Sequence, residues 1–183
     1  MKNILITIVL ALAFCSSHAQ VAPASIKVVI KDGEFSIGKS KVTDGWKLDD
    51  VMAAIGDDRR RRAGYNTTHS YDNAGMVLFE RNDDQKLPTG VVSEIQFHFA
   101  KTDSNNIVPK GYFKGKITIE KLVVTPDLTS AKLKEALKDY KVTDSYMEHN
   151  IRLAYKGLYI YFLFNPEETA LLKVSVGKDT RTY

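Results

Sequence analysis

Set against itself with an offset of 82 positions, the sequence repeats its own order of turns and apolar residues, and no other feature constrains the fold as much. Gly33 falls on Gly115, Phe35 and Ile37 on Ile117 and Ile119, and Val42 on Val124. Val51 and Ile55 fall on Leu133 and Leu137, and Gly75 falls on Gly157. The stretch "MVLF" (76–79) then coincides with "LYIY" (158–161). After a loop three residues shorter in the second half, Ile95 and Phe97 align with Val174 and Val176. Identities are few, but the order of element types is the same, which asks for two similar structural units.

Each half reads as a hairpin, a helix and further strands. In the first, "IKVVI" and "EFSIGKSKV" flank Asp32-Gly33, a strong two-residue hairpin signal. "WKLDDVMAAIG" (46–56) places Leu48, Val51, Met52 and Ile55 at helical spacing and stops at Gly56. "YNTTHSYD", "GMVLFE" and "VVSEIQFHF" follow as strands. In the second half "GKITIEKLVV" precedes Pro126, and Thr129 or Ser130 can cap a helix striped by Leu133, Ala136, Leu137 and Tyr140. "YMEHNIRLAY", "GLYIYFLF" and "ALLKVSVG" complete the set. The expected fold is α+β: two helix-on-antiparallel-sheet repeats, each a hairpin, a helix and three strands. They occupy 26–100 and 112–183 and are joined by the polar, turn-rich linker 101–111.

Residues 1–19 are read as a secretory signal peptide rather than part of the fold. Lys2 gives a positive start, "ILITIVLALAF" an apolar stretch, and Ser17-His18-Ala19 a small-x-small cleavage pattern before Gln20. The expected location is periplasmic or secreted. Cys15 follows Phe14 rather than the small residue that a lipidated cysteine requires, so membrane anchoring is not expected. It is also the chain's one cysteine, and removing the leader leaves neither a disulfide framework nor a thiolate centre. The net charge of +4 falls to +3 without Lys2, and both signs are interleaved, which argues against a nucleic-acid surface.

The segment "FSIGKSKVTDGWKLDDVMAAIGDDRRR", with "YDNAGMVLF" and "VVSEIQF", resembles small bacterial envelope modules. Among these are the small outer-membrane assembly lipoproteins and the β-lactamase-inhibitor protein. The two-half arrangement is also similar to uncharacterised secreted bacterial tandem-repeat domains with an aromatic-Asp-x-x-Gly step, here Tyr71-Asp72-Asn73-Ala74-Gly75. The resemblance implies helix-on-sheet repeats that bind proteins rather than transform small molecules. It brings no catalytic residues.

A residue-by-residue search for chemistry supports no catalytic, cofactor or metal site. His69, His98 and His149 are too far apart for a local zinc pair. His98 sits between Phe97 and Phe99 and is read as a surface or partly covered imidazole. No G-x-S-x-G elbow, phosphate-binding glycine loop or calcium ladder occurs. The carboxylate pair Asp49-Asp50 suits the start of a helix.

Two features point outward. In "AYKGLYIYFLF" (154–164), alternation sets Leu158, Ile160, Phe162 and Phe164 on one face and Tyr159, Tyr161 and Leu163 on the other. Tyr159 and Tyr161 are then either shielded within the fold or interface residues. In "DDRRRR" (57–62), Arg59, Arg60, Arg61 and Arg62 read as a solvated loop or as a grip on an acidic protein surface. The expected function is an exported, non-enzymatic protein-binding module with Arg59–Arg62, Tyr159 and Tyr161 as its contact residues. It would be an inhibitor or immunity protein that occludes a secreted toxin or enzyme, or an envelope-assembly accessory. The alternative is a small periplasmic hydrolase or carbohydrate-binding protein.

Overall fold

The computed structural model describes residues 22–42, 46–102 and 108–178. The leader and the expected cleavage after Ala19 lie outside these residues, as does 103–107 of the expected linker. β1 (Lys27–Lys31), β2 (Glu34–Ile37) and β3 (Ser40–Val42) precede α1 (Leu48–Ile55). β4 (Arg60–Arg62), β5 (Thr67–Tyr71), β6 (Met76–Asn82) and β7 (Pro88–His98) follow. The second half contributes β8 (Lys116–Ile119), β9 (Leu122–Val124), α2 (Ser130–Ala136) and β10 (Lys141–Asp144). It ends with β11 (Asn150–Tyr155), β12 (Leu158–Phe164) and β13 (Leu171–Lys178). Asp32 and Gly33 both take positive φ, 53° and 82°, as the two-residue hairpin turn requires. The Thr129 hydroxyl accepts the Lys132 N–H at 3.2 Å and so caps α2.

The expected α+β fold of two helix-on-sheet repeats does not form. Strand accounts for 48% and helix for 11%, and two large sheets pack in a sandwich-like arrangement. One sheet has the order β3-β2-β1-β8-β9, the other β10-β11-β12-β13-β7-β6-β5-β4. The hairpins of the two halves build the first sheet instead of joining the strands that follow them. Helix length explains why. α1 has eight residues and α2 seven, so each is about 10–12 Å long, whereas eight strands span roughly 35 Å. Such helices cannot cover the sheet. Its inner face is met instead by Val28, Ile30, Phe35, Ile37, Ile117 and Ile119 of the smaller sheet, all at most 1% exposed.

The strand order is symmetric. β2 runs antiparallel and β8 parallel to β1, so the β2–β3 and β8–β9 hairpins flank β1 and run opposite to each other. At the centre of the larger sheet Ile95 pairs with Val176 and Phe97 with Val174. Positions equivalent in the two halves thus pair crosswise, as a two-fold relation demands. One core cluster draws on both halves. α1 packs against β2, β3 and β7, and the Trp46 ring lies 4.9 Å from that of Phe35.

The connection from β7 to β8 is held by the aromatic-Asp-x-x-Gly step. Asp72 accepts from Arg60 Nε at 2.6 Å and Nη2 at 2.8 Å, from the Ser70 hydroxyl at 3.1 Å and from Lys110 N at 3.1 Å. Its carbonyl accepts the Gly111 N–H at 2.9 Å. Gly75 has φ 65°, and a Cβ there would sit 2.0 Å from Phe113 N. The close approach lets Phe113 turn inward, 5.0 Å from the Phe97 ring and 5.9 Å from that of Phe99.

Candidate functional site

Alternation and register divide the larger sheet into two faces. Leu153, Ile160, Val176, Ile95, Leu78 and His69 form one continuous inner row. Arg152, Tyr161, Ser175, Gln96, Val77, Ser70 and Arg60 form an outer row. Beside it runs the row Lys141, Ala154, Tyr159, Gly177, Glu94, Phe79, Thr68 and Arg62. Leu158, Ile160, Phe162 and Phe164 are buried in the core, while Tyr159, Tyr161 and Leu163 are half-buried on the outer face.

The outer face is organised around Glu94. The Tyr159 ring lies over Gly177, where a Cβ would come within 2.2 Å of it, so only glycine leaves room for the ring. Its hydroxyl donates to Glu94 Oε2 at 3.2 Å, and Gln96 Nε2 donates to Glu94 Oε1 at 2.7 Å. The Gln96 carbonyl then faces His98 Nε2 at 3.2 Å, which places the imidazole proton on that nitrogen. Burial, and secondarily the Lys173 ammonium, push His98 down to about 4, so it is neutral at pH 7. Burial holds the Tyr159 phenol well above its ordinary value, with Glu94 adding to the effect. Burial also lowers Lys173, against the opposing pull of Glu94. The Tyr159 and Tyr161 rings stand 5.4 Å apart. Lys141, Arg62, Arg152 and Lys173 share this face by register, and Arg81 lies within electrostatic reach of Tyr159. Glu94 and Asp72 supply negative charge, and Asp72 is committed to Arg60.

The four arginines do not act as one loop. Arg59 turns inward: its side chain is 21% exposed, pairs with Asp57 and donates through Nε to His69 Nδ1 at 3.0 Å. Arg60 is clamped by Asp72. Arg60–Arg62 form β4, the edge strand of the larger sheet, where charge hinders pairing with a further strand. Arg61 lies opposite His69 and Arg62 opposite Thr68, so of these two only Arg62 shares the face with the tyrosines.

Nothing in the spacing of His69 and Glu80 signals that they form a buried polar pair on the inner face. His69 Nε2 lies 2.7 Å from Glu80 Oε2, with side-chain exposures of 1% and 4%. Because Arg59 donates to Nδ1, the proton sits on Nε2 and is donated to Glu80, which also accepts the Gly90 N–H at 2.6 Å. Burial lowers the His69 pKa, with Glu80 opposing. Enclosed in this way, the pair satisfies its own hydrogen bonds inside the sandwich. His149 lies on the surface, 3.9 Å from Glu168.

A cleft of about 700 Å³ opens beside the β6–β7 hairpin and is lined by Tyr65, Asn66, Arg81, Asp83, Lys86 and Ser93, among others. Asp83 is engaged in its own turn, accepting Gln85 N at 2.9 Å and Leu87 N at 2.8 Å. Another, of about 500 Å³, lies between the β1–β2 and β11–β12 turns over Phe35 and Trp46. Among the described residues neither cleft is lined by a histidine or a cysteine.

No curated protein and no solved structure matches the chain. A family model described as a domain of unknown function, DUF7738, matches residues 27–134. The match starts at β1, passes through the first half and the crossing segment, and ends inside α2. Because it covers more than half of the sequence, the chain belongs to the DUF7738 family.

Proposed function

We propose that this protein is an exported, non-enzymatic binding module that uses the outer face of its eight-stranded sheet to occlude an acidic surface of a protein partner. An inhibitor or immunity protein directed at a secreted toxin or enzyme would act in this way. The observation that carries the reading is the half-buried Tyr159–Tyr161 pair on that face, flanked by Arg152, Lys141 and Lys173. Tyrosine contributes a large amphipathic surface at low entropic cost, and the basic flanks supply complementarity to carboxylates. The hydrolase alternative has less support, because the buried acid–base pair His69–Glu80 is enclosed and the clefts hold solvated polar groups.

The test is capture of partners from envelope and secreted fractions, identification by mass spectrometry, and reconstitution with the purified partner. Tyr161→Ala is expected to weaken the reconstituted complex by about 30-fold, as a central tyrosine hot spot does. It should change folding stability by no more than about 1 kcal/mol, since its ring is only half-buried. Tyr159→Ala should cost more stability, because that ring is seated on Gly177 and tied to Glu94. Undiminished affinity in Tyr161→Ala, or its global unfolding, would overturn the assignment.

A further inference from the structure

We propose that the outer face of the five-stranded sheet, on the opposite side of the sandwich, is a docking surface for an anionic lipid bilayer. Register places Lys41, Ser36, Val29, Thr118 and Val123 in its central row. Val29 is 38% and Val123 43% exposed, and their neighbours in the row are hydroxyl residues. Lysines flank this strip. Lys27 lies directly opposite Lys116 across the parallel β1–β8 pair, an arrangement in which like charges repel and the sheet is weakened. Lys39 joins them, since the neighbouring Gly38 N–H bonds to the Lys27 carbonyl at 2.7 Å. Lys31 stands at the other end, opposite Glu34, which is paired with Lys41 at 2.5 Å.

Lys27, Lys39 and Lys116 thus concentrate positive charge at this end of the face, which an external anion would offset. The shape of the face selects the kind of anion. Five strands present a plane roughly 20 Å across, and no aromatic or arginine side chain lies in its register rows. Nucleic-acid sites use such groups for stacking and bidentate phosphate contacts. Lysine point charges around short aliphatic side chains suit a planar layer of anionic headgroups, where each lysine adds to binding and the valines reach the interface. Among the described residues no helix is long and apolar enough to cross a membrane. A protein held by this face would turn its larger sheet and the two tyrosines away from the bilayer.

The test is flotation of the purified protein with vesicles of phosphatidylcholine alone and with about one third phosphatidylglycerol. All variants carry the same N-terminus, so any contribution of the leader cancels between them. Binding to the anionic vesicles is expected to exceed binding to the neutral ones and to fall steeply as salt rises. Replacing Lys27, Lys39 and Lys116 together by Gln should reduce it about 100-fold, on the order of fivefold per lysine. An unchanged thermal melt would show that the triple variant is folded. Single Lys→Gln changes at the three positions, each expected to give about fivefold, keep the test open if the triple variant fails to fold. Equal binding to both vesicle types, or anionic binding that survives the substitutions, would overturn the proposal. So would lysine-dependent binding to duplex DNA without binding to vesicles. Tyr161→Ala should leave vesicle binding unchanged, which separates this surface from the partner-binding face.

Discussion

Asp72 offers the most direct test of how the chain is held together. In the folded protein the Arg60 guanidinium, and then the Lys110 N–H and the Ser70 hydroxyl, hold its carboxyl down at about 2 against an ordinary 3.8. That difference corresponds to roughly 2.4 kcal/mol, at 1.36 kcal/mol for each tenfold change in proton affinity. Arg60 is 51% exposed, and solvent screening reduces the usable stabilisation to about 1–1.5 kcal/mol. The sign follows from linkage. The unfolded chain takes up the proton first as pH falls, so the contribution is complete above about pH 5 and disappears between about 4 and 2. Asp72→Asn keeps the shape and an acceptor for Lys110 N but loses the charged fork to Arg60. Urea unfolding at pH 7 should show a loss of about 1–1.5 kcal/mol at an unchanged m-value. The gap to the native protein should close by about pH 2. A loss that is the same at both pH values would refute the electrostatic clasp and reduce Asp72 to a turn former.

Two further outcomes follow from the geometry. Gly75→Ala should cost about 3 kcal/mol or more, because the left-handed backbone and the 2.0 Å approach of Phe113 N add together. The control Gly90→Ala, also at positive φ but with nothing within 4 Å, should cost only about 1 kcal/mol; equal losses in urea titrations would refute the close-approach argument. His98 is held neutral down to about 4, so between about pH 6.5 and 4 the unfolded chain binds the extra proton and stability falls with pH by about 2–3 kcal/mol. His98→Gln, with Lys173 and Gln96 left in place, should flatten that part of a pH–stability profile, leaving the smaller contribution of His69. An unchanged profile would refute the assignment.

Much of the local structure was legible in the sequence. Asp32-Gly33 demanded a tight turn, the spacing of Val51 and Ile55 before Gly56 defined a helix and its end, and the alternation in 158–164 set the two faces of β12. Each of these is fixed by neighbours along the chain, through backbone sterics and side-chain period. The 82-residue offset also named the positions that pair crosswise at the centre of the larger sheet, though not that they would meet.

Tertiary structure decided how the elements were grouped. Nothing local distinguishes a hairpin that joins its own following strands from one that pairs with its counterpart across β1. That choice was settled by area, since two helices of eight and seven residues leave too much apolar sheet uncovered. The same step divided the arginines, turning Arg59 to His69, locking Arg60 to Asp72 and leaving Arg62 on the outer face at the edge of the sheet. It paired His69 with Glu80 and brought Gly75 against Phe113. These contacts join residues on different strands or loops, and their energies depend on burial and distance, which only the folded chain defines.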